Sequence, residues 1–235
     1  MPTKFVYHRG KLRASRDKHL VRAGSRLVAD AVAKLYDEYI PKYARGRLID
    51  LGCGDVPLYA AYKEHVKDNI CVDVIESEHV DYVCDLSQPL PFGDQEFDTI
   101  ILSDVLEHIA RPEILWSEMA RILAEGGKAL INVPFYYWVH AAPHDYYRYT
   151  EWALRRFAKI NGFEIVVLKT VGGSPEVVAD VVAKHLQVVP VLGTFLSSAV
   201  QYLAQVFVRT AGKRLAEKTS PVFPLGYFMV VRKGL

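Results

Sequence analysis

The sequence lacks several features that would mark particular classes of protein. It has no real excess of either charge, since 29 Lys and Arg face 27 Asp and Glu and leave a formal net charge of +2. The basic surplus typical of nucleic-acid enzymes is therefore missing, and we expect no nucleic-acid partner.

The three cysteines are too far apart in sequence for a metal knuckle, and the first residues lack the apolar core of a secretory signal. Reduced core thiols and a cytoplasmic location are expected.

Charged residues are also missing from residues 186–208, a moderately apolar run. Pro190, Gly193 and several glutamines and serines interrupt it, so a membrane-spanning helix is the least favoured interpretation. A helical cap, packed over the active site or against a second copy of the chain in a homodimer, ranks first. Peripheral contact with a membrane or lipid ranks second, because Arg209 and Lys213 follow the run and supply a basic edge. Such contact would bring the protein to lipid-linked substrates.

The spacing of apolar residues predicts how the rest of the chain is organised. Residues 11–45 show helical spacing up to Pro41, and residues 1–45 are predicted to be an N-terminal helical arm. Short apolar strands then alternate with helices, which predicts a parallel sheet with helices on both faces in a domain of residues 46–235. About fifty residues separate the last two predicted strands, too many for a structureless loop. A helical insertion over about 175–224 is predicted there.

One turn in this pattern has the composition of a nucleoside site. The apolar strand Leu48–Leu51 contains Asp50 and runs into Gly52 and Gly54, which let the backbone approach a ligand without a Cβ in the way. Asp73 ends the next apolar run about 20 residues later, where a βαβ nucleotide site places the carboxylate that binds ribose hydroxyls. A cofactor containing a nucleoside is therefore predicted.

The residues after this turn favour one cofactor over another. A dinucleotide fingerprint has a third glycine where this chain has Pro57, a residue suited to the first turn of a helix, and Asp55 is expected to cap that helix. An aspartate at a helix start would repel a diphosphate and tolerate a cation. S-adenosylmethionine, a positively charged nucleoside without phosphates, fits better than a nicotinamide dinucleotide, so a nicotinamide-dependent oxidoreductase is disfavoured.

Several further stretches follow in an order that is typical of one family. They are Val72-Asp73, Cys84-Asp85-Leu86, Leu90–Asp98, Ser103–Ile109 and Arg121–Gly127. From about residue 47 to 163 the chain resembles the class I S-adenosylmethionine-dependent methyltransferases, in particular the group with an Asp-x-Gly-x-Gly turn and a Leu-Glu-His motif. The resemblance implies an α/β fold with a Rossmann-like, doubly wound, mostly parallel seven-stranded sheet. The chain departs from the family at Val56, where many members have a third glycine.

The resemblance also implies which residues surround the cofactor. Gly52 and Gly54 would lie against its methionine part, with Asp50 holding either the turn or the ammonium group. Asp73 would bind the ribose hydroxyls, and Asp85 would accept a hydrogen bond from the adenine amino group. The full set expected at the cofactor is Asp50, Gly52, Cys53, Gly54, Asp73, Val74, Asp85, Leu86, Ser103, Asp104 and His108.

The loop after the fifth strand is expected to face the methyl acceptor, because open α/β sheets bind ligands at the carboxyl ends of their strands. Its His144–Thr150 part resembles a motif shared by a subset of the family, many of them bacterial or archaeal enzymes of uncertain substrate. His140 or His144 could act as a general base that Asp145 orients. Arg148 could anchor a carboxylate or phosphate of the acceptor; equally, Arg148 and Asp145 could form an internal ion pair that fixes the loop, with Thr150 capping the next helix. Tyr147 and its neighbouring aromatics would line a pocket.

A metal site is not expected in this loop. His140, His144 and Asp145 have a spacing that can bring imidazoles together on a helix, but Pro143 argues against a regular helix there. For His108, a structural role together with Glu107 is an alternative to contact with the cofactor.

Two functions remain open from the sequence. The first is an S-adenosylmethionine-dependent methyltransferase that acts on an oxygen or nitrogen of a small molecule, with sugar-derived and lipid-linked acceptors among the candidates. The second is a non-catalytic S-adenosylmethionine-binding subunit or sensor that acts through its helical insertion. The fold alone does not separate them.

Overall fold

The structure is a computed structural model that describes residues 3–234. Its contacts divide the chain into two units: residues 3–37 with 170–226, and residues 38–169 with 227–234. The strands are β1 (Phe5–His8), β2 (Lys11–Ala14), β3 (Arg47–Leu51), β4 (Asp68–Asp73), β5 (Tyr82–Val83), β6 (Phe97–Ser103), β7 (Leu123–Pro134), β8 (Phe163–Val171) and β9 (Gly226–Lys233). The helices are α1 (Arg26–Tyr43), α2 (Tyr59–Tyr62), α3 (Pro112–Ile122), α4 (Glu151–Ile160), α5 (Ser174–Leu186), α6 (Gly193–Arg209) and α7 (Lys213–Thr219).

The predicted α/β fold is confirmed. Seven strands form one sheet in the order β5-β4-β3-β6-β7-β9-β8, and the pairs β3–β4, β3–β6, β4–β5 and β6–β7 are parallel. The central strands are mainly apolar and are fully buried at residues such as Ile49, Ile100 and Ile131, as expected when helices cover both faces. From β3 the chain adds β4 and β5 on one side, and it then returns to add β6 and β7 on the other side. The direction in which strands are added therefore reverses beside β3. Open α/β sheets bind ligands at such a position.

Helix α4 follows the loop that was predicted to face the acceptor. The Thr150 hydroxyl oxygen accepts a hydrogen bond from the Ala153 N–H at 3.2 Å, so the predicted cap is present. In the core the ring of Trp116, on α3, stacks on Phe157 of α4 and meets Phe163 of β8 edge-on. This packing fixes where α4 begins, and with it the end of the loop before it.

The segment after the glycine turn differs from its prediction. A helix was expected from Pro57 to about residue 66, but α2 comprises only Tyr59–Tyr62, and Asp55 caps no helix because Leu58 occupies the capping position. Val56 explains the delay, since its φ of +44° is a left-handed conformation that interrupts a right-handed helix. Val56 therefore adopts a left-handed conformation of the kind a glycine there would allow, and it packs with Cys53 and Cys71 in a small buried cluster.

The predicted N-terminal helix is present but starts later than expected. Residues 5–14 form the antiparallel hairpin β1–β2 instead of the first turns of a helix over 11–45, because Leu12 and Ala14 point inward at a spacing of two. Pro41 lies inside the last turns of α1 and does not end it. A proline this close to a helix end removes few backbone bonds. The domain boundary at residue 46 stays a prediction.

The helical insertion is confirmed as α5, α6 and α7, and its packing over the active site or against a second copy of the chain stays a prediction. The polar residues Ser197 and Gln201 of α6 are buried, whereas Phe195 is 71% exposed. Gln201 accepts a hydrogen bond from the Leu27 N–H at 2.6 Å and donates one to the Gly24 carbonyl at 3.0 Å. Gln201 thus satisfies one of the free N–H groups at the start of α1. The apolar face of α6 is therefore exposed. No helix among residues 3–234 is long and apolar enough to cross a membrane.

Candidate functional site

The sequence-predicted cofactor residues follow one another along the carboxyl edge of the sheet. Asp85 comes after β5, Asp73 ends β4, and Gly52 follows β3. Ser103 and Asp104 come at the end of β6, the next strand in the sheet. Parallel strands place all these carboxyl ends on the same side, so residues distant in sequence form one continuous edge.

The turn after β3 needs a glycine at one position and leaves open space at another. Gly52 has a φ of +73°, and a Cβ added there would lie 2.5 Å from Cγ2 of Val105. Gly54 has a φ of +49°, and no atom among the described residues would come within 4 Å of its added Cβ. The turn is therefore tight beneath Gly52 and open beside Gly54, as a backbone that receives a ligand should be.

Asp73 joins this turn to the second strand. One of its carboxylate oxygens accepts a hydrogen bond from the Gly54 N–H at 2.8 Å, and the other accepts one from the Ile75 N–H at 3.0 Å. Val74, which lies between Asp73 and Ile75 in the sequence, is exposed. The carboxylate is thus held by backbone donors at the open part of the turn, where it can still accept hydrogen bonds from hydroxyl groups.

Asp50 lies beneath the turn. Its side chain is buried, with the residue only 3% exposed. Burial, reinforced by the nearby Cys71, raises the pKa of the Asp50 carboxyl to about 8, although the Tyr62 hydroxyl opposes the shift. A buried carboxyl that keeps its proton at neutral pH is better suited to holding the turn than to pairing with an ammonium group. Of its two expected roles, the burial and the raised pKa of Asp50 favour the first.

The remaining cofactor candidates are more loosely connected to the turn. Asp85 is exposed and accepts a hydrogen bond from the Ser87 N–H at 2.8 Å, while Leu86 beside it is buried. Asp104, with a φ of +56°, accepts a hydrogen bond from the Asn132 side-chain amide at 2.5 Å. Asn132, at the end of β7, was not among the predicted site residues, and nothing in its sequence neighbourhood indicates that it ties two strand ends together.

In the loop after β7, Asp145 and Arg148 form the ion pair that the sequence left open. The Arg148 guanidinium donates to both Asp145 oxygens, at 2.6 and 2.8 Å, and the Asp145 side chain is 2% exposed. Because of Arg148, the pKa of the Asp145 carboxyl lies well below its ordinary value, and the pKa of Arg148 is raised in turn. The guanidinium is thus engaged in fixing the loop rather than free to anchor an acceptor.

Asp145 orients His140 rather than His144. It accepts a hydrogen bond from the His140 backbone N–H at 2.9 Å, and its carboxylate lies 3.3 Å from His140 Nδ1. The His144 ring instead contacts the Tyr146 hydroxyl through Nδ1 at 3.0 Å, and the Tyr147 hydroxyl donates to the Ala110 carbonyl. The two histidines that the sequence could not tell apart therefore have different surroundings.

The structure also brings His140 close to Glu107 and His108, a connection that the sequence did not indicate. Glu107 is 0% exposed, and one of its oxygens lies 3.7 Å from Nε2 of both His108 and His140. The His108 and His140 rings meet edge-on, with centroids 4.8 Å apart. Burial raises the pKa of Glu107, and the adjacent Glu107 raises the pKa of His140. The Leu-Glu-His motif contains two of the three residues, but only the path of the later loop brings in His140.

Comparison with known proteins places residues 20–168 within the family model described as a methyltransferase domain. The chain is 30% identical over 110 residues to the bifunctional biotin biosynthesis protein of Cellvibrio japonicus. That alignment covers 43% of the chain and only 22% of the relative, so the chain spans a minor part of that protein.

Two solved structures show the same fold. An S-adenosylmethionine-dependent methyltransferase from Archaeoglobus fulgidus matches with a TM-score of 0.57 at 16% identity, covering 86% of this chain and 92% of the other. The phosphoethanolamine N-methyltransferase 2 of Haemonchus contortus, in complex with S-adenosyl-L-methionine, matches with a TM-score of 0.56 at 18% identity. That match covers 94% of this chain and 59% of the other.

Proposed function

Because the chain belongs to the methyltransferase-domain family, in its class I S-adenosylmethionine-dependent type, we propose that it methylates an oxygen or nitrogen of a small molecule. S-adenosylmethionine is its cofactor. The observation that carries the proposal is the open turn at Gly54, whose N–H donates to the Asp73 carboxylate at the carboxyl edge of the sheet. This arrangement fits a nucleoside whose hydroxyl groups need an acceptor and whose tail needs a backbone without side chains.

The cofactor residues have separable tasks in this proposal. Gly52 and Gly54 form the surface for the methionine part, and Asp73 accepts hydrogen bonds from the ribose hydroxyls. Asp85 and Leu86 receive the adenine, while Ser103 and Asp104 close the site from β6. Asp50 and Cys53 support the turn from below, since both are buried.

The acceptor side belongs to the loop after β7. S-adenosylmethionine supplies a methyl group on a sulfonium, which a lone pair of the acceptor displaces in line. The chain must therefore position the acceptor and remove its proton where it has one. His144 is the candidate for removing this proton, because its imidazole is more exposed than that of His140. Asp145 and Arg148 hold the loop, and Tyr147 fixes it to Ala110.

We expect Asp73→Ala to weaken S-adenosylmethionine binding by about 1–3 kcal/mol, roughly 5- to 150-fold in Kd, because the ribose hydroxyls lose a charged acceptor. Isothermal titration of the purified chain with S-adenosylmethionine measures the change. The variant also loses the hydrogen bond from Gly54, so its folding is checked by circular dichroism.

Asp81→Ala is the matched control for this measurement. Asp81 likewise accepts a backbone hydrogen bond, from the Cys71 N–H at 2.7 Å, but it is not among the residues assigned to the cofactor. An Asp73→Ala variant that is folded and binds as tightly as Asp81→Ala would show that Asp73 does not hold the ribose.

The acceptor class is tested by transfer of a labelled methyl group. The phosphoethanolamine N-methyltransferase likeness directs the first panel to phosphorylated amines, and the exposed apolar helix α6 directs the second to lipid-linked and sugar-derived compounds. Production of S-adenosylhomocysteine with any of them supports the enzyme. Tight S-adenosylmethionine binding with no transfer to any of them would favour the alternative, a non-catalytic S-adenosylmethionine-binding subunit or sensor.

The exposed face of α6 and its neighbours supports peripheral contact with an anionic lipid surface on the cytoplasmic side. The apolar residues of this face are exposed, although they belong to one compact unit of the chain. Basic residues of α6 and α7 are also exposed. Apolar side chains that enter the lipid boundary and basic side chains that meet its headgroups favour such contact together. The exposed apolar residues are Val188, Val191, Leu192, Phe195, Tyr202, Leu203, Val206 and Phe207. The exposed basic residues are Arg209, Lys213, Arg214 and Lys218.

We expect wild-type protein to sediment with vesicles that contain anionic lipid, and Leu192→Glu/Phe195→Glu to remain in the supernatant. Both side chains are exposed, so the double variant should keep its fold and its S-adenosylmethionine affinity. Exchange of the exposed Glu217 for Gln serves as a control that leaves the apolar face intact. If the wild type stays in solution as a dimer and the double variant is a monomer, the face is a homodimer interface instead.

A further inference from the structure

The cluster of Glu107, His108 and His140 has three ligand atoms directed toward one another. One oxygen of Glu107 lies 3.7 Å from Nε2 of each histidine, and the three ligand atoms all lie within 4.8 Å of one another. A separation of 3.7 Å is too long for a hydrogen bond. Ligand atoms around a tetrahedral ion with bonds of about 2.1 Å would be about 3.4 Å apart, so small side-chain shifts would bring these atoms onto one ion.

The other nitrogen of each ring is already occupied by an acceptor. His108 Nδ1 lies 2.6 Å from the His144 carbonyl, and His140 Nδ1 lies 3.3 Å from both the Asp145 carboxylate and the Trp138 carbonyl. Carbonyl and carboxylate oxygens only accept, so each Nδ1 carries the proton. In a neutral imidazole the lone pair then lies on Nε2, which faces Glu107. Metal-binding histidines typically have this outer hydrogen bond to a carbonyl or carboxylate.

Glu107 is the acidic member of the cluster, and its side chain makes no hydrogen bond within the described part of the chain. Neither of its oxygens accepts a hydrogen bond from residues 3–234, and the side chain is fully buried. A buried carboxylate without hydrogen bonds is costly. A cation among the three groups would satisfy all of them at once.

We infer that Glu107, His108 and His140 form a binding site for a divalent transition-metal ion of the zinc class. Two imidazoles and one carboxylate select Zn²⁺, Co²⁺ or Fe²⁺ over Mg²⁺ and Ca²⁺, which prefer oxygen ligands alone. Three protein ligands leave a coordination position for water or for another oxygen, as in catalytic rather than structural sites.

One consequence rests on the proposed function. The site includes a residue of the loop assigned to the acceptor, so the open position lies where an acceptor hydroxyl could bind and lose its proton more easily. Binding of the ion itself does not depend on that role. Metal affinity and methyl transfer are therefore measured separately.

The test is titration of chelator-treated full-length protein with Zn²⁺, in competition with a chromophoric chelator, followed by metal analysis after gel filtration. We expect one equivalent of Zn²⁺ in the wild type and a loss of affinity of at least about 100-fold in Glu107→Gln and in His140→Gln. His140 is only half-buried, so its variant keeps the test valid if Glu107→Gln does not fold. Mg²⁺ is expected to bind far more weakly than Zn²⁺.

His79→Gln is the matched control. His79 Nε2 also lies near a glutamate oxygen, 3.3 Å from Glu78, but that pair is on the surface and outside the cluster. The control should bind Zn²⁺ as the wild type does. The inference is overturned if the wild type binds no Zn²⁺ below about 100 µM, or if both cluster variants retain wild-type affinity. Zn²⁺ binding without methyl transfer to any acceptor would leave the metal site standing and count against the proposed function alone.

Discussion

Gly52→Val is expected to abolish S-adenosylmethionine binding, with a rise in Kd of more than about 100-fold. The left-handed backbone at Gly52 costs a side chain about 1–2 kcal/mol, and its Cβ would lie 2.5 Å from Val105, which packs beneath the turn. The turn must therefore move, and Gly54 and its hydrogen bond to Asp73 move with it. Isothermal titration measures the affinity, and urea unfolding measures the loss of stability.

Two further variants separate the clash from the backbone strain. Gly126 has a φ of +70° with no described atom within 4 Å of an added Cβ, so Gly126→Val introduces the strain without the contact. It should lose about 1–2 kcal/mol of stability and keep its affinity. Gly52→Ala combined with Val105→Ala relieves the clash and should restore folding more than binding. Near-normal affinity in folded Gly52→Val would mean that the cofactor does not lie against this turn.

Asp145→Ala is expected to reduce the free energy of unfolding by about 2–3 kcal/mol at pH 7. The change leaves the Arg148 guanidinium without its bidentate partner and His140 without its orienting carboxylate, and breaking a buried ion pair by removing one partner is strongly destabilising. The expected loss lies at or below the lower end of the roughly 3–5 kcal/mol found for fully buried pairs, because Arg148 is partly exposed. Urea unfolding of the variant against the wild type gives the difference.

The pH dependence of this difference follows from the pKa of Asp145, which Arg148 lowers in the folded state. A carboxyl with a lowered native pKa stabilises the fold above its unfolded pKa of about 3.9, and the stabilisation disappears as pH falls toward the native value. The gap between wild type and Asp145→Ala should thus narrow below about pH 4. Arg155→Ala, which breaks the exposed pair with Glu151, should cost less than about 0.5 kcal/mol. Equal losses in both variants would contradict the assigned role of Asp145.

The sheet and the turn were predictable because they depend on local spacing. Apolar strands that alternate with helices lead to parallel pairing, and parallel pairing places Asp73 and Gly52 at the same edge without further information. The residues after the turn and the family resemblance both indicated S-adenosylmethionine as the cofactor. The hairpin at the N-terminus also had a local signal that was missed, since Arg9 and Gly10 both take positive φ in a two-residue turn between alternating residues.

The acceptor loop was less predictable because its contacts depend on how two loops meet. Asp145 lies in the same heptapeptide as His144, yet its carboxylate reaches back to His140. Glu107 is next to His108 in sequence, but no periodic pattern links it to a histidine after β7. Val56 shows a related limit, since a β-branched residue in a left-handed conformation is rare and nothing in the sequence indicates its packing with Cys53 and Cys71.

The hydrogen bonds of Gln201 have a consequence for the order in which the chain can fold during synthesis. They join Gln201 to Leu27 and Gly24 across 174 and 177 positions, so the start of α1 leaves the ribosome long before its partner exists. At about 5–20 residues per second, the delay is roughly 10–35 s. In that interval water must solvate the Leu27 amide and the Gly24 carbonyl. Contacts of such high sequence separation form late, so the N-terminal residues should acquire protection from hydrogen exchange only after α6 has docked.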